Sequence, residues 1–134
     1  MTKEDAIEEL MYQSGNHENS ENERWQNGFL GQLRPFKGIL HEENYHLIMK
    51  SLKFLAPEME KGSVDKRIIN SLWGICHLGR MWAVQPEGML RRNNLITEDQ
   101  IQQIDNWLTD ISYTVSCLLD GAGTGEAFFE YKEN

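Results

Sequence analysis

Residues 68–84 read IINSLWGICHLGRMWAV, the densest apolar run in a chain of 134 residues. At about 100° per residue, Ile68, Ile69, Leu72, Ile75, Cys76, Leu78, Gly79, Trp82 and Ala83 share one arc covering about half a helix. That arc is wider than the stripe of an ordinary surface helix. The stretch is therefore expected to be the central helix, about 64–84, of an all-α, single-domain bundle of about five helices. Gly74 and Gly79 each cost about 1 kcal/mol relative to Ala, which close approach of a neighbour would offset. Ser63 is the expected N-cap. Pro86, in Gln85-Pro86-Glu87-Gly88, stops the helix.

The opposite arc carries Lys66, Asn70, Trp73, His77, Arg80 and Val84 in steps of three and four, so these residues share a face. Cations, hydrogen-bonding groups and an indole together are what an anion-binding surface or a protein-interface hot spot uses. Trp73, His77 and Arg80, joined by Arg91 and Arg92 from the following loop, are the candidate partner- or anion-binding residues. The competing reading is structural. In it Trp73 is buried, His77 and Arg80 bond to acids of flanking helices, and Arg91 and Arg92 are solvated.

Outward from this stretch, the other helices are read from caps and periodicity. Thr2 with Asp5 caps a helix over 2–13. Ser20 with Glu23 predicts a second helix over about 21–33, weakened by Gly28 and Gly31 and closed by Pro35. A third spans about 42–56, with Tyr45, Ile48, Met49, Leu52 and Leu55 on its core face. Leu47 and Phe54 point the other way, so cover on two sides is expected. Pro57 kinks this helix or begins a last turn through Glu60. Thr97 with Gln100 opens the most periodic helix, about 98–119, whose inner line runs from Ile101 to Leu119. The tail from residue 121 is Gly-rich and flexible at its start. Its aromatics Phe128, Phe129 and Tyr131 are expected to pack back on the bundle, to limit exposed apolar area.

Charge bounds the function. The net charge is −8. Residues 1–23 hold seven acids and one base, residues 98–134 eight acids and one base, and residues 24–97 six acids and eleven bases. Overall acidity argues against nucleic-acid binding, which needs a basic footprint. No apolar run approaches the ~18 residues of a membrane span, and no secretory signal opens the chain, so a cytoplasmic protein is expected. The two cysteines, Cys76 and Cys117, fall inside predicted helices, which favours reduced buried thiols over a disulfide.

The catalytic and metal signals are weak. His41 and His46 are five apart, about 140° around a helix, whereas a helical zinc pair sits four apart. No metal and no cofactor are expected. Gly121-Ala-Gly-Thr-Gly125 follows a helix, lacks a Lys and opens into acids and aromatics, so it is a connector and no phosphate loop. There is no Gly-x-Ser-x-Gly, and burial of Cys76 among apolar neighbours would make it a poor nucleophile.

The sequence therefore favours a protein-binding module of the immunity or antitoxin kind, acting by occupying a partner's surface. The analogy is one of size and charge, with a basic toxin as the partner. Two alternatives come from other classes. One is a ligand or enzymatic site for a phosphate or carboxylate around His77 and Arg80. The other is a regulatory homodimer joined through the wide apolar arc.

Overall fold

The computed structural model describes residues 1–133. Four long helices carry the fold: α1 (Lys3–Gln13), α3 (Glu42–Met59), α4 (Lys66–Gly79) and α6 (Glu98–Asp120). Three one-turn helices join them: α2 (Glu23–Gln26), α5 (Met89–Arg92) and α7 (Thr124–Ala127). Among the described residues the chain forms no strand, only an isolated bridge between Leu33 and Phe36 around Pro35. The all-α bundle expected from the sequence is the observed architecture.

The capping chemistry explains where the helices begin. Two of the three expected capping boxes form, those of Thr2 and Thr97. Thr2 and Asp5 exchange side-chain and backbone hydrogen bonds at 3.1 and 2.9 Å, and Thr97 and Gln100 do the same at 3.1 Å each way. α4 is capped by Asp65 and not by Ser63: its carboxylate accepts the Arg67 N–H at 2.9 Å. α6 ends on Gly121 at φ +77°, a left-handed residue that suits glycine.

The packing is a ring. α1 lies against α3 and α4, and α6 lies against the same two helices on the other side. Fully buried side chains from all four fill the centre: Ile7 and Leu10 of α1, Ile48, Leu52 and Leu55 of α3, Ile68 and Ile75 of α4, and Ile104, Leu108 and Ile111 of α6. Each such side chain contributes about 1.5–3 kcal/mol of apolar burial. Gly79 lets α4 and α6 approach: a Cβ there would lie 3.0 Å from a Leu108 methyl. Gly74 has no such contact, its nearest outside atom being the Ser14 Cβ at 4.0 Å. After Gly79 the helix widens into a π-helical segment, Arg80–Val84, which keeps Ala83 buried while Met81 points to solvent.

Three further features differ from the sequence expectation. The second helix is one turn long, begins on Asn22 instead of Ser20, and gives way to turns. The cause is tertiary. Gln13 of α1 takes the Phe29 N–H on its side-chain oxygen at 2.7 Å, and its backbone oxygen takes the Leu30 N–H at 3.0 Å. Those amides are drawn out of any helical ladder, and Gly28 comes so close that a Cβ would meet the Tyr12 carbonyl at 2.5 Å. Second, α3 is covered on one side only. Leu47 and Phe54 are exposed, because α1 and α6 both pack on the face of Ile48, Leu52 and Leu55. Third, the tail aromatics divide: Tyr131 is buried and Phe128 half-buried, whereas Phe129 is 74% exposed. Tyr131 is drawn in by His46, whose Nδ1 lies 2.8 Å from its hydroxyl.

Candidate functional site

The five candidate residues are split by the structure into an outward aromatic pair, two tethered arginines (Arg80 and Arg91) and an exposed Arg92. Trp73 is 60% exposed on the outer face of α4, and so is not the buried side chain that the structural reading required. Its indole stacks on the His77 ring one turn later, with centroids 4.4 Å apart and planes 18° from parallel. Helical spacing of four residues produces this stack, and it holds the indole at a fixed angle above the helix.

Arg80 lies across the α4–α6 seam. One guanidinium nitrogen pairs with Asp105 and another donates to the Thr109 hydroxyl at 3.1 Å. Arg91 donates to the Val84 carbonyl at 2.9 Å and lies 3.6 Å from the Glu98 carboxylate, which ties α5 to the end of the π-helical segment. Arg92 is exposed at the end of α5. Arg80 and Arg91 therefore already have carboxylate partners. They also show where the acidic ends go. Glu4 and Glu9 of the N-terminal stretch pair with Arg67 and Arg24, and Glu98, Asp105 and Glu133 pair with Arg91, Arg80 and Lys53.

Trp73 stands on a ridge between two concavities. On one side a groove of about 550 Å³ runs between α4 and α6, with Leu72, Trp73 and Cys76 on one wall and Val115 and Leu119 on the other. On the other side an open hollow of about 640 Å³ is bounded by Val64, Lys66, Asn70 and Arg67. Ile69 and Trp73 line both. Leu119, expected on the inner line of α6, is 48% exposed because α4 and α6 leave this groove between them. Sequence periodicity placed Ile69 and Leu119 in the core. Only the splay of the two helices, which no local pattern encodes, turns them into groove walls.

The chemistry of the groove is apolar. Cys76 accepts a hydrogen bond from the Ser112 hydroxyl at 3.3 Å. Burial pushes its thiol pKa up, more than the Ser112 bond and the nearby Arg80 pull it down, so the thiol stays protonated at neutral pH. At the basic end, Arg67 grips Glu4 through two hydrogen bonds, at 2.8 and 3.1 Å, and also Asp65 at 2.8 Å. Hydrogen bonds from the Arg67 side chain and backbone N–H hold the Asp65 carboxyl at about 2. Among the described residues no group of His, Cys, Asp and Glu side chains is arranged to hold a metal. Among the same residues no helix is long and apolar enough to cross a membrane.

Comparison of the chain with protein-family models, with curated proteins and with solved structures found no match.

Proposed function

We propose that this protein is a binding module that works by occupying a partner's surface, with the Ile69–Trp73 ridge as the contact. The observation that carries the reading is Trp73 itself. An indole that is 60% exposed, held by a stack on His77 and flanked by two concavities, lies outside the core and the side chains packed against it. Tryptophan is the residue most enriched at interface hot spots, and a hot spot needs a rigid aromatic anchor beside a pocket. The net charge of −8 favours a basic partner and speeds its approach. The functional class proposed is an immunity- or antitoxin-type inhibitor, working in the cytoplasm against a basic toxin.

The anion-ligand alternative has less support, because Arg80 and Arg91 are engaged by Asp105 and Glu98. The test is complex formation with the product of a toxin-like gene adjacent to this one. Trp73→Ala is expected to weaken that complex about 30-fold or more with the helical circular dichroism unchanged. Undiminished binding by the variant, or no complex with the wild type, would overturn the proposal.

A further inference from the structure

A second concavity lies on a different face of α6. Residues 112, 115, 116 and 119 face the Trp73 groove, whereas residues 109, 110, 113 and 114 point about 140° away around the same helix. There the C-terminal segment lies over α6 and borders a half-open cavity of about 350 Å³. Met49 contributes to its lining. Tyr113, Phe129 and Tyr131 bring three aromatic rings to it, and Asp110 and Glu130 bring two carboxylates.

We propose that this cavity binds an organic cation, an alkylammonium or guanidinium head group, between the aromatic rings and the Asp110 and Glu130 carboxylates. Three observations carry it. First, the negative charge is uncompensated: among the described residues neither Asp110 nor Glu130 has a cationic partner. Asp110 Oδ2 accepts the Tyr45 hydroxyl at 3.0 Å, which fixes the carboxylate and leaves its other oxygen available. Second, the rings are held as walls. The Tyr113 hydroxyl donates to Glu126, and the Tyr131 hydroxyl bonds to His46. Both phenols have raised pKa values, Tyr113 through its bond to Glu126 and Tyr131 through burial, so they are neutral rings at neutral pH. Third, Phe129 is 74% exposed at the mouth, an apolar ring outside the core and the side chains packed against it. Aromatic faces attract cations within about 6 Å, and the chain already uses this chemistry nearby: Lys53 Nζ lies 5.9 Å from the Tyr131 ring and 5.6 Å from Phe128. A mixed wall of rings and carboxylates selects a cation that carries both charge and apolar surface over a hydrated metal ion.

The cation can belong to a free small molecule or to an arginine or lysine side chain of a protein, and the experiment separates these. The 15N-labelled protein is titrated with N-methylguanidinium chloride, against sodium chloride at equal ionic strength. The expected result is a saturable shift of the Tyr113, Thr114, Phe129 and Tyr131 amides that sodium chloride does not produce. Phe129→Ala is expected to weaken binding about 3-fold, and Asp110→Asn, which keeps an acceptor for Tyr45, about 10-fold or more. Should Asp110→Asn unfold, Glu130→Gln takes its place, since that side chain is exposed. Tighter binding of acetyl-Gly-Arg-Gly-amide than of N-methylguanidinium assigns the site to a protein side chain, and the reverse order assigns it to a free cation. Absence of saturable shifts, or wild-type binding by both Phe129→Ala and Glu130→Gln, would overturn the proposal. Neither result bears on the Trp73 ridge, which faces the other way.

Discussion

The side-chain amide of Gln13 donates to the Asn44 side-chain oxygen Oδ1 at 3.2 Å, a bond between residues 31 apart in sequence and both buried. It is the centre of a polar clamp. Gln13 also takes the Phe29 N–H, and Asn44 donates to the Asn27 carbonyl at 2.9 Å. The irregular stretch after α2 is thus held to α1 and α3 by side chains, where a helical ladder was expected. Gln13→Leu would strand the Phe29 N–H and the Asn44 side-chain oxygen in the interior. Each buried unsatisfied group costs about 1–3 kcal/mol, so urea unfolding is expected to show a loss of about 2–4 kcal/mol. A loss below 1 kcal/mol would mean that water replaces the clamp.

Glycine substitutions should discriminate sharply between two positions. Gly28→Ala drives a Cβ to 2.5 Å from the Tyr12 carbonyl, a backbone atom that cannot rotate away. Gly62→Ala meets nothing within 4 Å and has no positive φ. The first is expected to lower stability by about 2 kcal/mol or more, in the range of overpacked sites. The second should stay within about 0.5 kcal/mol of wild type. Thermal melts of the two variants side by side check both.

Acid should loosen the α1–α4 junction. Asp65 is held at about 2, below its ordinary 3.8, chiefly by hydrogen bonds from the Arg67 side chain and backbone, and Glu4 is lowered by the same guanidinium. A carboxylate whose pKa is depressed on folding adds stability that is present above its unfolded pKa and lost as pH falls through the folded one. Urea midpoints are therefore expected to fall between pH 4.5 and 2. In Arg67→Ala the fall should be shallower, because the variant lacks that differential at every pH. Equal slopes in the two proteins would count against the junction.

Cys76 should react slowly. Its half-buried thiol has a raised pKa and accepts from Ser112, so at pH 8 a disulfide reagent is expected to label it at least about 10-fold more slowly than free cysteine. A ligand seated in the Trp73 groove should slow it further, since Cys76 lines that groove. The labelling rate with and without partner measures this.

Much of the fold was legible because its signals are local. Thr2, Thr97 and the 3.6-residue rhythm of Ile101, Ile104, Leu108 and Ile111 act within one helix, and the helices form where those signals stand. The second helix was misread because its fate depends on Gln13 and Asn44, polar residues on other helices that no window around residues 21–33 contains. Trp73 and His77 were legible as a face, since four-residue spacing alone brings them together. Whether that face was covered was not, because cover depends on which helices flank α4. The Asp110–Phe129 cavity left no sequence signal: its members belong to separate elements and meet only after the tail folds over α6.

The exposure of Trp73 also makes the molecule its own reporter. Trp107 is 6% exposed beside Phe29 and Tyr45, Trp25 and Trp82 are half-buried, and Trp73 stands in water. Light emitted by this protein is therefore sorted by depth. A dissolved quencher will reach Trp73 first, and anything that settles on the ridge will shield that one indole, shifting its emission to the blue without a label.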